Sequence, residues 1–401
     1  MVSAVARPYI DASVPVLREH GLTITQTFYR NMFAAHPELT NLFNMGNQAN
    51  GSQQQSLASA VFAYAANIDN AAALGPVVSR IVHKHASVGI TAEHYPIVGR
   101  HLLGAIQEVL GDAATPALIS AWDEAYSELA AALTAAEKEL YAQAGTAPGQ
   151  LNEMRVIDIQ NESDDIKAFV LETVNGNEAP AFKPGQYLSI SVTFDDGTTQ
   201  LRQYSLSDSP DPQSLRISVK REREGSETPA GVVSNWLHKH VAKGSILKVT
   251  HPFGDFTADT EGTAPIVLLS AGVGITPMIS VLNRIAQVNP DRHVTFVHAA
   301  RASNHHAHRA DVAAAKAAMP NLVEATFYET ISPEDQPNDF THAGMMEMKK
   351  VPAWAYKDAN VYLCGPVGFM QEQWRSLIET GVPAARLHRE VFGPELLNYV
   401  N

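Results

Sequence analysis

The sequence predicts three successive folds in one chain: an all-α domain, an antiparallel β-barrel, and an α/β domain on a parallel sheet. Three changes of rhythm predict it. From about residue 8 to 143, apolar residues recur three or four apart in Ala-rich segments, the period of buried helix faces. From 151 to 258, short β-rich runs alternate with turn residues. From 259 to 401, apolar strands alternate with helical stretches, as a parallel sheet requires.

Gly and Pro divide the helical part (1–143) into expected helices at 8–20, 23–35, 52–67, 72–87, 93–110 and 115–143. Residues 144–150, AGTAPGQ, are small and carry Pro and Gly, so they read as a linker. The next expected strands are MRVIDIQ, AFVLETV, QYLSISVTF, LRISVKR and ILKVTHP. Turns at Asn175-Gly176 and Asp195-Asp196-Gly197 separate some of them. Short strands at this spacing suggest a small barrel. In the third part, PIVLLS, HVTFVHAA, LVEATFYE and VYLC are the expected buried strands.

Bulk properties narrow the chemistry. A chain of 401 residues exceeds one ordinary core, and 45% hydrophobic with 18% charged residues is a folding composition. The net charge of −13 opposes polyanions, so nucleic acid and anionic membranes are not expected partners. A nucleotide would need backbone N–H groups and a few placed Arg side chains. The single cysteine, Cys364, excludes an intrachain disulfide, a Cys-rich zinc site and the covalent c-type haem attachment. No apolar run approaches about 18 residues, so no membrane insertion is expected. The N-terminal stretch is charged rather than signal-like, so the expected location is the reducing cytoplasm.

The helical part holds six histidines: His20, His36, His83, His85, His94 and His101. His85 differs by its setting, near the end of an amphipathic helix in VHKHASVGI. A haem ligand needs a neutral imidazole aimed into an apolar pocket, its other nitrogen held by a partner. Across such a pocket, Gln53 and Leu57 are spaced i,i+4 and share one helix face. An amide and an apolar wedge there would bind a small gas while restricting access. The Tyr29 hydroxyl could donate to it, and Phe43, at a tight corner, could pack on a porphyrin. By helix pattern alone, each of these is more often a core or surface side chain.

The pieces FYRNMFAAHPEL, LFNM, QQQSLASAVFAYAANI, HKHASVGI, YPIVGRHLLGAI and the region of Trp122 resemble the globin domain of flavohaemoglobins, the nitric oxide dioxygenase family. The resemblance extends over essentially the whole chain. It implies a globin fold for 1–143, noncovalent haem b, and His85 as proximal iron ligand. It implies that Tyr29, Gln53, Leu57 and Phe43 line the distal pocket. It implies that Tyr95 and Glu137 form a hydrogen-bonded network on the proximal side. A carboxylate on the imidazole N–H gives the ligand imidazolate character, which favours activation of O2 over storage. Lys84 beside the ligand would tune the haem and flavin potentials.

Arg202-Gln203-Tyr204-Ser205 is the strongest local motif of the second part. Flavin binding needs a cation for phosphate, an aromatic face for the ring and a small hydroxyl near N5. One strand here supplies all three. Tyr187, in KPGQY, is a further flavin-contact candidate. Gly231-Val232-Val233-Ser234 opens a helix, a natural phosphate site. Together with HPFGDF these resemble the ferredoxin reductase superfamily and imply FAD.

Gly272-Val273-Gly274-Ile275-Thr276-Pro277 follows a strand and opens a helix whose dipole favours a pyrophosphate. It departs from G-x-G-x-x-G and resembles the nicotinamide loop of that superfamily. The resemblance adds Cys364 and Gly365 near the nicotinamide of NAD(P)H. It also makes Val391-Phe392-Gly393-Pro394 a flavin-facing segment, with Glu390 coupling flavin and haem. His305, His306 and His308 suggest a metal less than a solvated loop–helix junction.

The resemblance implies an enzyme that passes electrons from NAD(P)H through FAD to haem and converts NO and O2 to nitrate. An oxygen-binding or redox-sensing globin and a haem-dependent peroxide reductase are the alternatives. O2 and NO are the expected small-molecule partners, and no obligate protein partner is evident.

Overall fold

The structure is a computed structural model that describes all residues except 1, 69, 226–228, 333–340, 352–357 and 395–401, and not the side chains of 71–73. The chain divides into two compact units. One is Met1–Leu151 with Ser191–Arg202 and Gly393–Asn401; the other is Asn152–Ile190 with Gln203–Phe392.

The first unit is mainly helical. Helix α1 spans Arg7–Ala35 without the break expected near residue 21. Its buried face runs Ile10, Leu17, Ile24, Phe28 and Met32, a sustained helical period. Burying each of the larger side chains contributes roughly 1.5–3 kcal/mol. Gly21 is buried within the helix rather than a stop, and a Cβ there would make only an ordinary contact, 3.6 Å from the Ala58 Cβ. A 3-10 turn, Pro37–Leu42, leads to Phe43 and the short α2, Met45–Ala49. Neither shows in the sequence, because a turn or two has too few residues to display a period. Then come α3 (Ser52–Ala66), α4 (Ala71–Val88), α5 (His94–Leu110) and α6 (Pro116–Ala144). Thr115 caps α6 by accepting from the Leu118 N–H, with Pro116 at the first helical position. Helix α1 packs on α3 and α5, and α4 packs on α6.

Six strands form the antiparallel sheet: β1 (Asn152–Asn161), β2 (Ile166–Thr173), β3 (Tyr187–Thr193), β4 (Thr199–Ser205), β5 (Leu215–Lys220) and β6 (Ile246–Val249). Their order is β4-β3-β6-β1-β2-β5. An antiparallel bridge from Leu206 to Ile217 joins the two ends of that order, which curls the sheet into a barrel. Helix α7, Val232–His240, lies between β5 and β6 in the chain.

A parallel sheet follows. Its elements are β7 (Ile266–Ala271), α8 (Ile275–Val288), β8 (Val294–Ala300), α9 (Arg309–Ala318), β9 (Leu322–Tyr328), β10 (Thr341–Ala343), β11 (Asn360–Cys364), α10 (Val367–Glu379) and β12 (Leu387–Glu390). The order β10-β9-β8-β7-β11-β12 reverses direction between β7 and β11. That reversal is where open α/β sheets bind ligands, beyond the carboxyl ends of the strands. The short strands β10 and β12 have no counterpart among the expected elements. Strand β12 ends at Glu390, immediately before the segment read as flavin-facing, and it pairs Glu390 with Cys364.

Candidate functional site

Helix α4 presents His85 in its last turn, and α6 crosses it with Glu137. The Glu137 Oε1 lies 2.8 Å from Nδ1 of His85. The Tyr95 hydroxyl, from α5, donates to the same oxygen at 2.5 Å and sits 3.1 Å from His85 Nδ1. Glu137 is 2% exposed, so it is no solvated surface carboxylate. Burial, then the hydrogen bond and charge of Glu137, push the Tyr95 hydroxyl far above its ordinary value, so it stays a donor. An acceptor at Nδ1 fixes the tautomer that leaves Nε2 with a free lone pair.

Tyr29, on α1, is buried with its ring 5.8 Å from Phe43 at 80° and 5.7 Å from Phe33. Leu57 and Phe43 are partly buried against the same core. Burial pushes the Tyr29 hydroxyl up to about 12, against the opposing effect of the Gln53 and Gln48 amides. The structure therefore packs Tyr29, Phe43 and Leu57 into one core, with Gln53 acting on the Tyr29 hydroxyl, and adds two residues the sequence reading missed, Phe33 and Gln48. Phe33 had a detectable signal, since it lies i+4 from Tyr29. Gln48 had none, because it sits on the short α2. The Lys84 ammonium donates to the Gly393 carbonyl at 2.5 Å, and both residues belong to this unit.

Strand β4 carries the whole Arg202–Ser205 motif. The Arg202 guanidinium folds along its own strand, donating to the Leu201 carbonyl at 2.7 Å and to Gln200 Oε1 at 2.6 Å. Gln203 is exposed and Tyr204 half-buried. Ser205 is 4% exposed, and its Oγ is buried with no hydrogen-bond partner among the described residues. Such a hydroxyl costs free energy unless something else bonds it. Tyr187 is buried, its ring against Gly254.

At the start of α7, the Ser234 hydroxyl turns back to donate to the Gly231 carbonyl and accept from the Glu222 N–H, both at 3.2 Å. Val233 is buried and Val232 is 58% exposed, so this turn can offer a ligand its N–H groups rather than its side chains.

Helix α8 begins at Ile275, so Thr276 and Pro277 lie in its first turn. Gly272 has φ +54°, and a Cβ there would meet nothing within 4 Å, so the backbone faces open space. Gly274 is the opposite: a Cβ would sit 2.3 Å from the Cys364 carbonyl oxygen. This contact clamps the Gly272–Pro277 loop against Cys364-Gly365. Cys364 is 1% exposed, and burial, then the Glu390 charge, push its thiol well up. Glu390 is also buried, its Oε1 accepting from the Val391 N–H at 2.8 Å. Val391 is buried and Phe392 is 48% exposed, so only the aromatic of this pair is available to cover a ring.

Of the three histidines after β8, His305 is half-buried and the other two are not solvated. His306 is 5% and His308 0% exposed. They also diverge: His305 faces Asp165, His306 bonds the Tyr328 hydroxyl, and His308 lies between Asp311 and Ser218. Glu162, His308 and Asp311 group closely enough for a metal. Both Asp311 oxygens are already taken, however, by Arg216 and Asn283 on one side and His308 on the other. Asp311 is thus the centre of a clasp joining β5, α8 and α9.

The fold and these clusters define a globin joined to an FAD- and NAD-type oxidoreductase. The globin family profile matches residues 26–133, the oxidoreductase FAD-binding domain 153–258 and the oxidoreductase NAD-binding domain 268–374. A flavohemoprotein of Rhizobium meliloti is 47% identical, covering 99% of each chain. The chain belongs to the flavohemoprotein family. The crystal structure of a flavohemoglobin from Malassezia yamatoensis, with bound FAD and heme, is similar at TM-score 0.85 and 29% identity, covering 98% of this chain and 100% of that one. The FAD/NAD-binding domain of a nitric oxide dioxygenase from Vibrio cholerae is 36% identical at TM-score 0.55, covering 61% of this chain and 99% of that domain. Among the described residues, no helix is long and apolar enough to cross a membrane.

Proposed function

We propose that this oxidoreductase is a nitric oxide dioxygenase that converts NO and O2 to nitrate, holding haem b and FAD and drawing electrons from NAD(P)H. The observation that carries the reading is the Glu137–His85–Tyr95 cluster in a chain that also carries a flavin and nicotinamide module. A storage globin has no need of a carboxylate pressed against its histidine, nor of an attached source of electrons.

The residues fit the cofactors. His85 offers Nε2 to iron while Nδ1 is held. Ser205 offers a buried hydroxyl that lacks a protein partner, as a flavin contact would leave it. Gly272 offers open backbone ahead of a helix N-terminus, as a pyrophosphate requires. When bound, the flavin supplies the exchange between two-electron and one-electron chemistry, and the haem supplies the centre where O2 and NO meet.

The chain's own residues then do the following. Glu137 draws on the His85 N–H and makes the imidazole a stronger electron donor. Tyr29 and Gln53 supply the polar side of the gas pocket, while Leu57 and Phe43 exclude water. Arg202 and the N–H groups of Val232 to Ser234 neutralise the FAD phosphates, and Tyr204 and Tyr187 flank the ring. The Gly274–Cys364 clamp fixes the nicotinamide loop, and the buried Cys364 thiol stays protonated beside it.

The test is NO consumption by the purified holoprotein with NADH and O2, followed by electrode, with nitrate assayed. One nitrate per NO supports the reading. Haem reduction by NADH without nitrate formation overturns it and turns attention to peroxide reduction or sensing.

A further inference from the structure

We propose that Asp165 sets the choice of nicotinamide nucleotide: it neutralises Arg301 where the ribose 2′ position of a bound nucleotide would lie, and so favours NADH over NADPH. The proposal rests on the NAD(P)H reading above.

The two nucleotides differ by one phosphate on the adenosine ribose. In nucleotide-binding α/β sheets that ribose is met at the end of the strand beside the one that carries the pyrophosphate turn, and an arginine there takes the phosphate. Here the turn Gly272–Pro277 follows β7, and β8 is the parallel neighbour, with Ala271 in register with Ala299. Arg301 lies two residues beyond Ala299, so it leaves the same edge of the sheet as the turn, one strand away. Its backbone is fixed by its carbonyl, which accepts from the Thr330 N–H at 2.9 Å. Its side chain is 64% exposed, so an incoming phosphate can reach it.

Arg301 is already engaged. Its Nη2 donates to Asp165 Oδ2 at 3.3 Å. Asp165 comes from the flavin barrel, in the loop between β1 and β2. The other oxygen of the same carboxylate accepts from Arg223 Nε at 3.0 Å. His305 Nδ1 lies 3.0 Å from Oδ2, off the direction of a hydrogen bond. The Asp165 side chain is only 10% exposed, although both guanidinium groups are open to solvent. Two arginines and a histidine thus converge on one enclosed negative charge.

The carboxylate is held in place. The Asp164 N–H donates to the Asn304 carbonyl at 3.0 Å, and Asn304 Nδ2 donates to Asp164 Oδ2 at 2.6 Å. The Asp165 carbonyl accepts from the Arg221 N–H at 2.7 Å. These bonds pin the loop to the 3-10 turn Ser303–His305. A 2′-phosphate at Arg301 would therefore meet a fixed carboxylate within ion-pair reach, and like charges so placed repel. Pushing the carboxylate aside would instead leave an enclosed charge without its partners, which is also unfavourable. A free 2′-hydroxyl meets neither penalty. Without the Asp165 charge, Arg301, Arg223 and His305 would form a cationic set suited to a phosphate.

The experiment follows flavin reduction in the FAD-loaded full chain by stopped flow, with NADH and with NADPH in turn. The parent is compared with Asp165→Asn, Asp165→Ala and the Asp165→Asn/Arg301→Gln double variant. The readout is the ratio of the two second-order rate constants, because a packing defect slows both nucleotides alike. The parent is expected to favour NADH by about tenfold or more. Either Asp165 variant is expected to move the ratio about tenfold toward NADPH, and adding Arg301→Gln is expected to cancel the gain. A parent that uses both nucleotides equally, or prefers NADPH, overturns the proposal even if no variant folds. So do Asp165 variants that keep the parent's ratio, and so does a double variant that keeps the gain, since the phosphate would then be bound elsewhere. A parent reduced by neither nucleotide sinks the nicotinamide reading itself, whereas an unmoved ratio in an active parent sinks only the role of Asp165.

Discussion

Glu137 Oε1 lies 2.8 Å from Nδ1 of His85, although the two residues are fifty-two positions apart and on different helices. Glu137→Gln keeps the shape and removes the charge. The iron–histidine stretch in the resonance Raman spectrum of the ferrous protein is expected to move to lower frequency. NO turnover is expected to fall roughly 10- to 100-fold, the usual consequence of losing a group that holds a metal ligand. An unmoved stretch would show that the carboxylate does not tune the ligand.

The Gly274 contact with Cys364 makes a separate prediction for the nucleotide side. Gly274→Ala forces a Cβ to within 2.3 Å of a carbonyl oxygen, and backbone on both sides must move. A cost of about 1–3 kcal/mol in stability is expected, together with slower flavin reduction by NADH in stopped flow. The haem spectrum should not change. Gly272→Ala meets no atoms but must adopt φ +54°, a strain of about 1–2 kcal/mol. It should therefore cost stability without the steric displacement of Cys364.

Ser205 separates a structural from a functional hydroxyl. Its Oγ has no partner among the described residues, so Ser205→Ala removes an unsatisfied buried group. Thermal unfolding of the flavin-free protein should be unchanged or slightly later. Flavin reduction in the holoprotein should slow about tenfold with little change in KM for NADH, a loss of about 1.4 kcal/mol. Destabilised flavin-free protein would mean that Ser205 is only a packing residue.

Acid should weaken the reductase module in two stages. Burial, then the Arg309 and His308 charges, push His306 down to about 3, and burial pushes His298 well down. The unfolded chain takes up protons near pH 6.5 that the folded chain refuses, so stability falls as the pH drops below that point. Asp311 adds a second stage. Burial pushes its carboxyl up, but the His308 hydrogen bond and the Arg216 guanidinium more than offset this and hold it well below the usual range. Its contribution is present above about pH 4 and is lost as the pH falls through the depressed value. Asp311→Asn should cost about 3 kcal/mol at pH 7, with the deficit shrinking below about pH 4. Denaturant unfolding followed by flavin fluorescence at both pH values checks this. A deficit independent of pH would exclude the ionic account.

Much of this protein was legible along the chain because local physics repeats locally. The helical, β-rich and alternating rhythms mark three folds, and the Arg202–Ser205 run on one strand and the Gly272–Pro277 run at one strand-to-helix turn are contiguous, so each could be picked out as a unit. Gly21 misled because a glycine buried inside a long helix looks, in one dimension, like a glycine that ends one. The histidines after β8 misled because a polar run reads as surface until its partners, Asp311, Ser218 and Tyr328, are seen to bury it.

The sequence by itself determined which groups are present and which of them share a helix or strand. The tertiary structure decided which meet across elements: Glu137 and Tyr95 on His85, Phe43 against Tyr29, Gly274 against Cys364. Side-chain period and turn chemistry act over a few residues, whereas these encounters are set by how whole helices and strands pack, which no spacing along the chain records.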